Sequence, residues 1–133
     1  MFDFELSLPP DPEAPGAARR ALEGLRATFA GDAVDRAMLL VSELVTNSVR
    51  HAVLPPGGAI VVRVHATEDL LRTEVTDDGR GFDPRIQGRS NGNAGGWGLR
   101  LVARLADRWG VERGDGTTVW FELRRPGAAG LPC

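Results

Sequence analysis

Phe2, Phe4, Leu6 and Leu8 alternate with Asp3, Glu5 and Ser7, the two-residue period of a strand with one buried face. Pro9, Pro10, Pro12 and Pro15 then break the run. Further on the apolar period lengthens. Ala18, Leu22, Leu25 and Phe29 recur at helical spacing and predict a helix over about 14–30. Gly31 and Asp32 end it, and Asp32 offers an N-cap to a second helix near 33–53. That helix carries Val34, Ala37, Met38, Val41, Val45, Ser48 and Ala52 on one face, and Pro55-Pro56-Gly57-Gly58 stops it.

Residues 59–66 and 70–77 read as two strands joined at Thr67-Glu68-Asp69, a hairpin. The polar stretch that follows contains Gly88, Gly92, Gly95 and Gly96, has no apolar period and predicts a mobile loop. A third helix is predicted over 97–109, with Leu101, Val102, Leu105 and Trp109 inward and Gly110 as its C-cap. Residues 110–114 and 117–125 close the pattern as a strand pair turning at Asp115-Gly116. The order predicts one domain over 1–125 and a disordered tail over 126–133. The fold class is α/β: a two-layer sandwich with three helices on one face of a mostly antiparallel sheet of about five strands.

Composition narrows the chemistry. The 133 residues carry a net charge of -2, which supplies no electrostatic case for a nucleic-acid or membrane surface. All 16 basic residues are arginine, so the lysine-dependent phosphate loop, the ordinary protein-kinase signature and Schiff-base chemistry are excluded. Cys133 is the single cysteine, and His51 and His65 cannot make a metal cluster alone. No basic or long apolar leader is present, and a cytoplasmic soluble protein is expected.

Four segments can carry chemistry. Glu43, Asn47 and His51 recur every four residues along one flank of the second helix, bordering its apolar face. Asn47 offers a neutral oxygen to Mg²⁺, and Glu43 can accept a proton from an attacking hydroxyl; a solvated stripe is the alternative. Leu71, Thr73, Val75 and Asp77 share one strand parity, so Asp77 ends a buried face and needs a donor such as a purine's exocyclic amine. Asp77 opens Asp-x-Gly-x-Gly-Phe, whose Gly79 and Gly81 permit close backbone approach to a ligand, a capped turn being the alternative. Gly95-Gly96-Trp97-Gly98-Leu99 opens the last helix, where free N–H groups and the helix dipole favour an anion such as triphosphate. Thr117 shares parity with Val119, Phe121 and Leu123, so its hydroxyl points inward, toward Asp77, a base or a cross-strand neighbour.

Taken together and in this order, residues 43–52 (ELVTNSVRHA), 77–82 (DDGRGF), 96–99 (GWGL) and Gly116-Thr117 closely resemble the Bergerat-fold ATP-binding superfamily of gyrase, the ninety-kilodalton chaperones, MutL and histidine kinases. Within it the chain is similar to the single-domain anti-sigma factor serine kinases, and the likeness runs from the first strand to Leu123. The resemblance implies Glu43 as catalytic base and Asn47 as magnesium ligand. It implies Asp77, supported by Thr117, on the adenine amine, with Gly79, Gly81 and Phe82 along the nucleotide. Residues 83–96 would be an ATP lid, with Gly96, Trp97, Gly98 and Leu99 at the phosphates. His51 falls where related helices carry a basic or polar residue near the phosphates. Arg80, Arg85 and Arg89 are further candidates to meet phosphate charge.

No helix pair bearing a phosphoacceptor histidine is expected upstream of the first strand, and no transducer domain. A free-standing ATP module is therefore expected, acting with ATP and Mg²⁺ on a separate protein. By resemblance that protein is an anti-anti-sigma factor phosphorylated on serine, or a sigma factor held inactive, and family members commonly form homodimers. The rival expectation is an ATP-gated partner-binding module without kinase turnover. Arg100, Arg104 and Arg108 form an arginine stripe on the predicted third helix, either a partner surface or a solvated face.

Overall fold

The computed structural model describes residues 2–27, 29, 31–51, 58–77, 94–114 and 116–124, with only the backbone described for Phe2, His51 and residues 94–98. The described chain runs β1 (Phe2–Leu8), α1 (Ala14–Leu22), a 3₁₀ segment (Glu23–Ala27), α2 (Gly31–His51), β2 (Ile60–Ala66), β3 (Leu70–Asp77), α3 (Ala94–Leu105), β4 (Arg108–Arg113) and β5 (Thr117–Arg124). The five strands form one antiparallel sheet in the order β1-β2-β3-β5-β4. The two-layer α/β architecture is the one the pattern predicts.

The core lies between the sheet and the helices. Val62, Val64, Leu71, Val75, Val119, Phe121 and Leu123 rise from the strands against Leu22, Leu25, Val34, Val41, Val45 and Val102. Burial alternates residue by residue along β3, as its parity requires. The opposite face carries ion pairs instead: Arg63 with Glu5 at 3.1 Å, His65 with Asp3, and Arg72 with Glu122 at 2.8 Å. Arg72 also stacks over the Trp120 ring at 4.2 Å.

Several boundaries differ from the predicted ones. The first helix does not run to residue 30; it tightens into the 3₁₀ segment at Glu23. Gly24 weakens the helical continuation, and Arg26 ties the segment down by bonding Glu23 at 2.8 Å and Asp35 of α2 at 2.6 Å. The hydrogen bonds that Arg26 donates to the Glu23 and Asp35 carboxylates also raise its pKa above the ordinary value. Leu25 and Phe29 are buried all the same. The second helix starts at Gly31, so Asp32 lies inside its first turn and pairs with Arg36 at 3.7 Å rather than capping from outside.

The largest correction concerns the third helix. It begins at Ala94, so Gly95 and Gly96 belong to its first turn and not to the preceding loop. It ends at Leu105, and Trp109 and Gly110 stand in β4 rather than closing the helix. Sheet pairing decides the matter: Asp107 N–H donates to Glu122 at 2.9 Å and Arg108 falls opposite Glu122. Gly110 is needed for close approach, since a Cβ there would come within 2.8 Å of the Trp120 ring. Arg108 consequently leaves the helical arginine stripe and pairs with Glu122 at 3.5 Å. The predicted tail over 126–133 lies outside the described residues.

Candidate functional site

Placing β5 between β3 and β4 brings the end of β3 beside the start of β5, so Asp77 faces Thr117 directly in the ladder. Both residues share the helix-facing parity and are 2% and 3% exposed. On the other side Asp77 is paired in register with Ile60 of β2, an apolar neighbour. A carboxylate held this deep requires hydrogen-bond donors to offset its desolvation.

One donor comes from α2. Ser48 Oγ donates to Asp77 Oδ2 at 3.2 Å, and Ser48 is itself buried. The helical spacing predicts Ser48 only as part of an apolar face, so its polar partner was missed. A hydroxyl at a core position next to a candidate site is the sequence signal that could have found it.

Asn47 precedes Ser48 and is 1% exposed, while Glu43, one turn earlier on α2, is half-buried. The two are therefore not a freely solvated stripe. Their side chains are separated by one helical turn, about 6 Å of rise. Ser42 and Thr46 hydroxyls bond back to the carbonyls of Leu39 and Ser42 at 3.0 and 2.7 Å, which keeps those polar groups satisfied within the helix. His51 is the last residue of α2, and its side chain lies outside the described part.

Gly96, Trp97 and Gly98 belong to the first turns of α3, followed by Leu99, which packs against the core. Free N–H groups at such a helix start favour an anion. The far end of α3 is held from α2: Arg36 Nη1 donates to the Leu105 carbonyl at 3.3 Å, a cation at the negative end of the helix dipole. No sequence spacing signals that contact. Gly79, Gly81, Phe82, Arg80, Arg85, Arg89 and the predicted lid up to residue 93 lie outside the described residues.

The chemistry available is thus the buried Asp77 carboxylate and the Thr117 hydroxyl at one end of the sheet, with the Ser48 hydroxyl, the Asn47 carboxamide and the Glu43 carboxylate on α2. Among the described residues no group of three histidine, cysteine, aspartate or glutamate side chains forms a metal cage. A neutral oxygen such as that of Asn47 suits Mg²⁺, which keeps several waters and takes phosphate oxygens from a nucleotide.

Residues 8–123 match the family described as a histidine kinase-like ATPase domain. The chain is 34% identical over 128 residues to the serine-protein kinase RsbW of Listeria innocua, covering 86% of this chain and 82% of that one. It is 31% identical over 130 residues to the serine-protein kinase RsbW of Bacillus subtilis, covering 87% and 81%. Among solved structures, that of the RsbU and RsbW domains of Rv1364c from Mycobacterium tuberculosis matches with a TM-score of 0.73 at 21% identity. That match covers 94% of this chain and 32% of the solved one, and shows likeness of fold. The histidine kinase domain of the Erythrobacter litoralis EL346 blue-light activated histidine kinase matches with a TM-score of 0.60 at 27% identity, over 84% of this chain and 59% of that one.

Proposed function

The chain belongs to the histidine kinase-like ATPase domain family, alongside the RsbW serine-protein kinases, and from that membership we propose that it is an ATP- and Mg²⁺-dependent protein serine kinase of anti-sigma factor type. ATP is the substrate such a domain binds. The observation that supports the placement of its base is the buried Asp77, set opposite Thr117 and bonded by Ser48. Asp77 accepts a hydrogen bond from the 6-amino group of adenine, and Thr117 supports it. Gly79, Gly81 and Phe82 line the nucleotide, and the start of α3 from Gly96 to Leu99 meets the phosphates. His51 is assigned to the phosphate end of α2.

Glu43 accepts the proton of the partner's serine hydroxyl as that oxygen bonds to the γ-phosphorus. The bond from the γ-phosphorus to the β–γ bridging oxygen breaks and ADP leaves. Mg²⁺, held through the Asn47 carboxamide oxygen, supplies neutralisation of phosphate charge when bound. Helix-terminal N–H groups of α3 add to that stabilisation. The protein partners are an anti-anti-sigma factor, which receives the phosphoryl group, and a sigma factor, which is held inactive. Residues 1–125 act as one catalytic domain in the cytoplasm. Among the described residues no helix is long and apolar enough to cross a membrane.

The test is phosphotransfer from γ-labelled ATP to a candidate anti-anti-sigma protein in Mg²⁺. Label is expected on a serine of that protein with the wild type and not with Glu43→Ala that still binds ATP. A wild type that binds both ATP and partner but transfers no label overturns the kinase reading in favour of an ATP-gated binding module.

A further inference from the structure

Ser48 occupies a position where the pattern of α2 calls for an apolar side chain. Val41 and Val45 precede it on the sheet-facing side, and all three are buried. A hydroxyl in such a place costs free energy unless it is bonded, and here it is bonded to a carboxylate, the stronger kind of acceptor. The torsion that turns an aspartate carboxylate is broad, so position on a strand alone does not decide which oxygen points where. The neighbours of Asp77 within the sheet are Ile60, which offers no side-chain donor, and Thr117. Ser48 reaches it from the helix layer, directly following Asn47 in the chain.

We propose that Ser48 is a positioning residue for base recognition: by donating to Asp77 Oδ2 it sets the rotation of the carboxylate and directs Oδ1 toward the 6-amino group of adenine. The inference rests on Asp77 being the adenine acceptor and goes beyond it by assigning the oxygen and the group that orients it. It also ties base recognition to the helix that carries Asn47 and Glu43, so base and phosphate ends are referred to one rigid element.

The experiment compares ATP with purine riboside 5′-triphosphate, which differs only in lacking the 6-amino group, by titration calorimetry on the wild type, Ser48→Ala and Asp77→Asn. Circular dichroism verifies the fold of each variant. In the wild type ATP is expected to bind more tightly than the analogue. Ser48→Ala is expected to weaken ATP about fivefold while changing analogue binding by less than about twofold, so the preference shrinks. Equal weakening of both ligands by Ser48→Ala, or no weakening of either, overturns the proposal, because a packing role does not distinguish them. A preference lost in Asp77→Asn but retained in Ser48→Ala removes Ser48 and leaves the Asp77 reading standing. A preference absent from the wild type, or intact in Asp77→Asn, removes both.

Discussion

Asp77 and Thr117 lie opposite one another in the β3–β5 ladder, both beneath the helix layer and both nearly inaccessible to solvent. Their juxtaposition joins residues far apart in the chain at the end of the sheet where α2 presents Ser48. Thr117→Val keeps the shape of the side chain and removes its hydroxyl. Loss of one hydrogen bond predicts ATP affinity falling about threefold to tenfold, read by calorimetry. Urea unfolding of the same variant is expected to shift by no more than about 1 kcal/mol.

Asn47 is buried on α2 one residue before Ser48. Asn47→Ala removes the carboxamide oxygen proposed for Mg²⁺, so the advantage that Mg²⁺ gives to ATP binding is expected to fall by about tenfold. Parallel titrations with Mg²⁺ and with a chelator measure it. Weakening that is the same in both conditions would assign Asn47 to packing instead.

Glu43, half-buried and one turn from Asn47, is proposed to act on the partner's hydroxyl rather than on ATP. Glu43→Gln keeps the size and hydrogen-bonding reach but removes the base. Single-turnover transfer is expected to slow by about 10²–10⁴-fold while the dissociation constant for ATP stays within about twofold.

Gly110 lies against the Trp120 indole on the sheet face away from the helices. Gly110→Ala places a methyl group 2.8 Å from that ring, whose other contacts include Arg72 stacked 4.2 Å from its centroid. Destabilisation of about 1–3 kcal/mol is predicted by urea unfolding. Nucleotide binding below the transition should be retained, because the change lies on the opposite side of the sheet from Asp77.

Periodicity carried the reading where the determining interactions are local. The alternation Leu71, Thr73, Val75, Asp77 was enough to place Asp77 at the end of a buried face, and the parity of Thr117 was enough to turn it inward. It failed where distant chain decides. Trp109 continues the helical spacing of Leu101 and Leu105, yet pairing with Phe121 draws it into β4. Gly24 sits within a helical pattern that packing tightens into a 3₁₀ segment instead of extending. Ser48 reads as core because its partner is 29 positions away, and Arg36 reaches a carbonyl 69 positions away. No local pattern contains either distance. For the glycine-rich segment from Gly79 to Gly81 and for Phe82, the resemblance of their motif supplies the assignment.

The central claim is that Asp77 anchors the nucleotide, and calorimetric titration of ATP with and without Mg²⁺ into the wild type and Asp77→Asn tests it most directly. The account predicts Mg²⁺-dependent binding by the wild type and at least about a tenfold loss in Asp77→Asn with the fold retained. Equal affinity in the two proteins, or no binding by the wild type at millimolar ATP, would contradict it.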